Sequence, residues 1–281
     1  MTCEVMEPEP ARSLRWSDDE AGAQTYEKAV TIPEPTVGAG GLLRAWRSRR
    51  RMSQLDLASR ADVSTRHLSC VETGRSAPSR ELVLHLARHL DVPLREQNDL
   101  LLAAGYAPAF SELDLGSPAM RPVMAAIETM LAGSEPNPTL VMDRHWNLVL
   151  ANEAALMMTE GVAGHLLEPP LNVVELTLHP DGLAPSISNL DEVAGHLIHR
   201  IRRQHAVTGD ETLAELATKA EHLVPTASSI QPITAAAAMT VHLRLAGVET
   251  SLLSVVSTFG TALDVTAAEL TIETFYDVTD R

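Results

Sequence analysis

Apolar residues recur at helical spacing from position 42 onward. Leu42, Leu43 and Trp46 fall on one face of a first predicted helix, which carries arginines on its other faces and ends near Met52. The same spacing predicts four further helices, over 54–61, 64–74, 79–90 and 93–105. Residues 39–105 are therefore predicted to form an all-α domain of five helices.

Residues that favour helix ends stand at the junctions between these helices. Ser53 is a good N-cap, and Asp56, three residues later, completes a pattern like a capping box. Ser64 is placed to cap the third helix, and Gly74 suits the left-handed backbone that closes a helix. These signals predict two short helices joined by a tight turn.

The third helix has one apolar and one polar face. Leu68 and Val71 are one turn apart and are predicted to face the core. The opposite face carries Thr65, Arg66, Ser69 and Thr73. The N-terminus of such a helix can enter the roughly 12 Å major groove of DNA, where polar side chains reach base edges. Gln54, in the first turn of the second helix, is expected to contact a backbone phosphate.

The pattern changes after residue 105. A linker and a connecting helix are predicted over 106–136, followed by a second domain over 137–281. Its predicted strands cover 139–142, 147–150, 239–245, 250–260 and 269–277, and its main helices 192–204 and 212–222. This order predicts an antiparallel sheet with helices over one face, so the chain as a whole belongs to the α+β class.

Composition indicates the number of domains and the cellular compartment. The 281 residues are 45% hydrophobic, which is enough for two cores, and two cysteines give no disulfide framework. No signal peptide and no run of about 18 apolar residues is present, so a cytoplasmic protein without a membrane segment is expected. Residues 1–38 are acidic and rich in proline, and are predicted to be a disordered arm.

Charge is unevenly distributed along the chain. The formal net charge is −15, but residues 40–104 contain eleven arginines against seven acidic residues, a local charge of +4. The rest of the chain carries −19. This asymmetry is typical of a basic nucleic-acid reader joined to an acidic module.

The first domain resembles the XRE (Cro/C1-type) helix-turn-helix family over residues 41–105. The resemblance is carried by Ser53, Gln54, Leu57, Ala58, Ala61, Val63, Ser64, Leu68, Ser69, Glu72, Gly74, Arg75, Pro78 and Ser79. It implies that the second and third helices bind double-stranded DNA and that Thr65, Arg66 and Ser69 read bases. Arg49–Arg51 depart from the family pattern and are expected to be flexible phosphate neutralisers.

The predicted DNA-contacting set is therefore Gln54, Thr65, Arg66, Ser69, Thr73, Arg44, Arg50 and Arg75. Arg66 has an alternative interpretation as a solvated surface charge, but its place in the first turn of the third helix favours a base or phosphate contact. Glu72 is expected to pair with a nearby arginine.

The second half resembles the MmyB-like ligand-binding domain over residues 115–280. The resemblance is carried by "MDRHWNLVLANEAA", "LHPDGLAP", "HLIHRIRRQ" and "STFGTALDVTAAELTIETFYD". It implies a PAS-like fold with an apolar cavity and a fatty-acid-like ligand. With only 3% aromatic residues, the walls would be aliphatic. The candidate walls are Met142, Leu148, Leu150, Met157, Leu178, Leu197 and Ile201, with His179 and Arg200 as polar anchors; each wall residue has ordinary core packing as its alternative.

Catalysis has no support in the sequence. There is no nucleophile elbow, phosphate-binding glycine loop or acid pair in a motif context, and no cofactor or metal is predicted. His196 and His199 share a helix face but have no further ligand at a diagnostic spacing. The chain is predicted to be a homodimeric, ligand-responsive transcription regulator and not an enzyme. The alternative is a DNA-tethered adaptor whose second domain binds another protein and no small molecule.

Overall fold

The computed structural model describes residues 38–229, 239–245 and 247–279. The predicted acidic arm therefore lies outside the described residues except for Gly38. Five helices make up the N-terminal domain, as predicted: α1 (Ala39–Arg49), α2 (Gln54–Arg60), α3 (Thr65–Glu72), α4 (Arg80–His89) and α5 (Leu94–Ala103).

The predicted caps define these helices. The Ser53 hydroxyl accepts a hydrogen bond from Asp56 N at 3.1 Å, and the Asp56 carboxylate accepts one from Ser53 N at 2.9 Å, which completes a capping box. Ser64 and Ser79 cap α3 and α4 through a single hydrogen bond each, accepted by the hydroxyl from His67 N and Leu82 N, and Gly74 has φ of 72°. α1 ends at Arg49, before the predicted Met52, because Arg51 adopts a left-handed φ of 53°.

α1 and α3 pack very closely in the N-terminal core. A Cβ atom added to Gly40 would lie only 2.1 Å from the carbonyl oxygen of Val71. The absence of a side chain at Gly40 lets the start of α1 rest on the backbone of α3. Leu43 and Trp46 of α1 continue this contact into the buried core with Leu68.

The C-terminal domain is built on one five-stranded antiparallel sheet with the order β2-β1-β5-β4-β3. The strands are β1 (Thr139–Met142), β2 (Leu148–Ala151), β3 (Thr240–Leu245), β4 (Val248–Thr258) and β5 (Thr271–Asp277). The helices are α6 (Arg121–Gly133), α7 (Glu153–Met157), α8 (Val173–Leu178), α9 (Leu190–Thr208), α10 (Glu211–Leu223) and α11 (Val265–Glu269). The predicted α+β architecture, a helical domain followed by an antiparallel sheet with covering helices, is confirmed.

Helices cover both faces of this sheet, and the prediction of helices on one face only is wrong. Met142 packs on one face with α8, α9 and α10. Val141, the next residue along β1, points to the other face and packs against Ile127 and Leu131 of α6. The amphipathic pattern of α6 was interpreted as a connecting helix, but its apolar stripe closes the second layer of the domain. Within the described residues, no helix combines the length and apolar character needed to cross a bilayer.

Candidate nucleic-acid interface and ligand pocket

The leading edge of α3 is open to solvent. Thr65 and Arg66 are exposed and Ser69 is half-buried, whereas Leu68 and Val71 on the opposite side are each only 1% exposed. The Ser64 hydroxyl accepts a hydrogen bond from His67 N at 3.1 Å and fixes the first turn. The helix thus presents hydrogen-bonding side chains at its N-terminus on a rigid base.

Thr73 does not belong to this leading edge. It is the C-cap of α3, about 12 Å along the axis from Thr65 at 1.5 Å per residue. Its hydroxyl donates to the carbonyl oxygen of Ser69 at 2.7 Å. A base contact by Thr73 remains a prediction, but its hydroxyl hydrogen is already used within the helix.

Glu72 lies at the centre of a buried network that joins three helices. Its carboxylate accepts two hydrogen bonds from Arg47, at 2.7 and 2.8 Å, and one from Gln54 at 2.8 Å. Burial alone would raise the pKa of Glu72, but the bonds from Arg47 and Gln54 outweigh it and lower that pKa. The expected arginine partner of Glu72 is confirmed, and the Gln54 amide is held toward α3 in the absence of DNA.

The side chains of the remaining predicted arginines differ in their exposure to solvent and in their hydrogen bonds. Arg44 and Arg75 are exposed. Arg50 is fixed: its Nε donates to Leu90 O at 2.7 Å and its Nη2 to Asp91 O at 2.6 Å, so it caps the C-terminus of α4. The expectation of a flexible cation at Arg50 is wrong because the end of α4 offers unpaired carbonyl groups within its reach.

An apolar pocket opens between the sheet and the helices of the C-terminal domain. It has a volume of about 90 Å³. Its walls come from the sheet, α7, α8 and the segments beside them: Pro138, Leu140, Ala155, Met158, Thr159, Val173, Leu176, Thr177, Leu183, Ile187, Val241, Leu243, Leu252 and Phe275. The two hydroxyl groups among them donate to their own helix backbone, Thr159 to Leu156 O and Thr177 to Val173 O, each at 2.7 Å. These walls therefore offer no free hydrogen-bond donor to an occupant.

None of the predicted wall residues lines this pocket, so a ligand contact by any of them stays a prediction that this pocket does not support. Met142, Leu178 and Ile201 are packed in the core beneath α9 and α10, and Leu197 is half-buried beside them. The others are spread over the domain: Leu150 lies on the far face of the sheet with α6, Leu148 is half-buried, and Met157 is 69% exposed while its neighbour Met158 forms the wall.

The two predicted polar anchors also point elsewhere. His179 Nδ1 accepts a hydrogen bond from Asp181 N at 3.0 Å. Arg200 Nη1 donates to both carboxylate oxygens of Glu273, at 3.2 and 3.1 Å, and its guanidinium lies 4.6 Å from the Trp146 ring centre. Glu273 is buried and sits opposite the pocket residue Leu140 across the β1–β5 pair, so this ion pair borders the pocket without opening into it.

The two domains meet through a cluster of ionisable side chains. We call it the junction cluster and define it as Arg95, Glu96, Arg144, His145, Asp210 and Glu269. Arg95 of α5 pairs with Glu269 of α11, and Arg144 in the β1–β2 turn donates to Glu269 at 3.0 Å and to Asp210. His145 Nε2 lies 2.8 Å from Asp210, and Arg144 reaches to 4.0 Å from Glu96. No signal in the sequence linked these residues.

Burial shapes the acidity of this cluster. It would raise the pKa of Asp210, but the hydrogen bonds from Arg144 and His145 lower that pKa from 3.8 to about 2. In Glu96, the effect of burial is larger than that of the nearby positive charge. Burial raises its pKa, and Arg144 is too distant to compensate fully. One oxygen of Glu96 is buried without a hydrogen-bond partner.

Backbone contacts hold the domains together on either side of the junction cluster. Arg49, at the end of α1, donates from Nη1 to Thr208 O at the end of α9, at 3.1 Å. Leu113 N donates to the Asp264 carboxylate at 3.1 Å, and Val265 N donates to Ser111 O at 2.8 Å. The helical domain is thus docked directly on the sheet domain.

Two protein families match this chain. The MmyB-like transcription regulator ligand binding domain matches residues 123–281, and a helix-turn-helix domain matches residues 39–100. No curated protein matches the chain. Among solved structures, one titled "Structure of an RNA-binding Light-Oxygen-Voltage Receptor" is 16% identical with a TM-score of 0.28, and the alignment covers 92% of this chain and 64% of that one.

Proposed function

Because the chain belongs to the family of MmyB-like transcription regulators with a ligand-binding domain, and has a helix-turn-helix domain before it, we propose that it is a cytoplasmic, homodimeric regulator that reads a specific DNA sequence and binds an aliphatic ligand. Its activity would be regulatory and not catalytic. The observation that carries the ligand class is the apolar pocket, whose two hydroxyl groups are already hydrogen-bonded to the backbone.

The open edge of α3 supports the DNA-reading role. Thr65, Arg66 and Ser69 project from a helix whose position is fixed by the Arg47–Glu72–Gln54 network. Arg66 can donate two parallel hydrogen bonds to guanine, a contact worth about 1–3 kcal/mol in discrimination. Two such domains in a dimer would contact half-sites about 34–36 Å apart, one turn of DNA.

The lining of the pocket supports an alkyl chain over a polar or aromatic ligand. Its walls are mainly branched aliphatic side chains with Met158 and one aromatic ring, Phe275, and each methylene group that they bury contributes about 0.8 kcal/mol. At about 90 Å³, the pocket is smaller than the roughly 300–1,000 Å³ of sites that enclose drug-sized ligands. We therefore propose that a fatty-acid-like ligand moves the walls apart on entry, with the flexible Met158 yielding first.

Contacts of α9 with α1 and with Asp210 of the junction cluster would connect the C-terminal core to the DNA-reading domain. α9 forms a wall of the C-terminal core, and its last residues contact Arg49 of α1 and, through His205, the backbone of Asp210. A ligand that favours one packing of this core would shift the population of docked and undocked domains, and so the spacing of the two α3 helices in a dimer.

Native mass spectrometry of the protein purified from cells tests the ligand proposal. We expect a mass excess that organic extraction removes and identifies as an aliphatic acid. An apo mass, together with no uptake of an added long-chain fatty acid, would contradict the sensor proposal and favour the adaptor. The dimer is tested by the mass of the intact complex under the same conditions.

A further inference from the structure

Three side chains with metal-ligating atoms meet where two loops of the C-terminal domain cross. His165 lies in a 3-10 turn over Gly164–Leu166, His179 follows α8, and Asp181 comes two residues later. One ligating atom from each lies within 4.8 Å of the other two. Neither His165 nor Asp181 was singled out from the sequence, because they are brought together only by the fold.

The backbone fixes both loops around this cluster. Ala163 N donates to Asp181 O at 3.0 Å and fastens one loop to the other. The turn after α8 is closed by Gly182 N to His179 O and Leu183 N to Leu176 O, each at 2.9 Å. A Cβ atom at Gly182 would lie 2.2 Å from Leu176 O, so the turn requires glycine here. The scaffold of the cluster is therefore rigid, while its exposed side chains can adjust.

The state of His179 suits coordination. Its Nδ1 accepts a hydrogen bond from Asp181 N, so this nitrogen carries the ring lone pair, and a carboxylate oxygen of Asp181 lies 3.8 Å from the same atom. A cation between His179 Nδ1 and the Asp181 carboxylate would replace this hydrogen bond with a coordinate bond to Nδ1. Its positive charge would also be compensated by the Asp181 carboxylate.

We propose that His165, His179 and Asp181 form a binding site for a zinc-type divalent cation. Two imidazole nitrogens and one carboxylate oxygen, with water in a fourth position, match the ligand set that zinc takes in tetrahedral sites. In tetrahedral geometry, bonds of about 2.0–2.2 Å place two ligand atoms roughly 3.3–3.6 Å apart. The side chains of His165 and Asp181, both exposed, close the remaining gap by rotation.

The position of this site gives the cation a mechanical role. The loop bearing His165 follows Met158 and Thr159, and the turn bearing His179 lies between Thr177 and Leu183, all of which line the apolar pocket. A bound cation would join these two parts of the pocket wall. The site itself does not depend on the proposed ligand or on DNA binding.

Isothermal titration of the full chain with Zn²⁺, after removal of any affinity tag and of trace metals with a chelator, tests this site. We expect one Zn²⁺ per chain, and a loss of affinity of at least tenfold in both His165→Ala and Asp181→Asn. His199→Ala is the matched control, because it removes another exposed histidine of the same domain. Co²⁺ in place of Zn²⁺ should give the visible absorption of four-coordinate cobalt in the wild type and in the control only.

Two results would overturn the proposal. One is an absence of Zn²⁺ binding by the wild type. The other is an affinity that either His165→Ala or Asp181→Asn leaves unchanged, which would place the cation at other surface groups. Circular dichroism of each variant confirms that a lost affinity does not come from unfolding.

Discussion

Arg95 and Glu269 form a two-point ion pair across the boundary between the domains, with Nε to Oε1 at 2.8 Å and Nη2 to Oε2 at 2.9 Å. These residues are 174 positions apart in sequence. The geometry is the parallel fork that gives arginine its strongest carboxylate contacts. The pair therefore ties the orientation of the DNA-reading domain to that of the sheet domain.

Glu269→Gln is predicted to weaken domain docking by about 1.5–3 kcal/mol, the scale of a hydrogen bond to a charged group. The loss stays moderate because Arg95 keeps its contact with Glu112, at 2.6 Å, and Arg144 keeps Asp210. The effect is measured as the rate of limited proteolysis in the segment between the domains under native conditions. This rate should be higher in Glu269→Gln than in the wild type. Glu249→Gln breaks the exposed pair with Arg244 and should leave proteolysis unchanged; equal rates for the two variants would contradict the prediction.

Asp210 makes the stability of the C-terminal domain sensitive to acid, because its partners Arg144 and His145 belong to the same domain. Its pKa is lowered from 3.8 to about 2 in the folded protein, so the ionised form stabilises the fold. That contribution is fully present above about pH 5 and is lost as pH falls toward 2. Asp210→Asn should therefore lower the urea midpoint at neutral pH, and its difference from the wild type should shrink in acid. Glu215→Gln, an exposed change in the same helix, is the control, and a difference that is constant with pH would refute this role.

Arg66→Ala is predicted to weaken binding to a selected operator by about 1–3 kcal/mol while leaving binding to random duplex DNA nearly unchanged. Arg44→Ala should weaken both about equally and reduce the salt slope by about 1, as expected of a phosphate contact. Fluorescence anisotropy at several salt concentrations measures both quantities. Arg121→Ala, at the exposed start of α6, is the control. If Arg66→Ala and Arg44→Ala behave alike on both duplexes, the assignment of roles fails.

Ala155→Phe is predicted to fill the apolar pocket and abolish the uptake of a long-chain fatty acid. Ala155 lines the pocket from α7, whereas the adjacent, half-buried Ala154 does not, so Ala154→Phe is the matched control. Native mass spectrometry after incubation with the fatty acid distinguishes them. Retention of the ligand by Ala155→Phe would mean that it binds elsewhere.

Gly40→Ala is predicted to destabilise the N-terminal domain by about 1–3 kcal/mol, the usual cost of overpacking. The new methyl group would be 2.1 Å from Val71 O, which is backbone and cannot rotate away. Gly38→Ala meets no atom within 4 Å and should cost less, about 0.5–1 kcal/mol, because alanine is a poorer N-cap of α1 than glycine. Urea unfolding compares the two variants, and similar midpoints would show that α1 and α3 can separate at little cost.

Local features of this fold could be predicted from the sequence because their causes lie within a few residues. Ser53, Ser64 and Ser79 cap the helices that follow them, and Gly74 takes the left-handed conformation. Strand β1 was predicted with its observed ends because β-favouring residues are followed there by a polar turn.

The pocket and the junction could not be predicted, because both depend on which elements meet. Periodicity predicts that Met142 and Leu150 are buried. It does not predict that they lie on opposite faces of the sheet, as they do in the structure. Periodicity also predicts Met157 as a wall residue, whereas its neighbour Met158 lines the pocket. Arg144 was part of a recognised motif, yet its partners Asp210 and Glu269 are 66 and 125 residues away.

α1 contacts α3 in the N-terminal domain and the end of α9 in the C-terminal domain. Its first turn rests on the α3 backbone through Gly40, and its last residue, Arg49, is hydrogen-bonded to the end of α9. An eleven-residue helix is a stiff rod of roughly 16 Å at 1.5 Å per residue. α1 therefore bridges the C-terminal domain and the helix proposed to read DNA, and a ligand-dependent shift at the end of α9 would reach α3 through this rigid element.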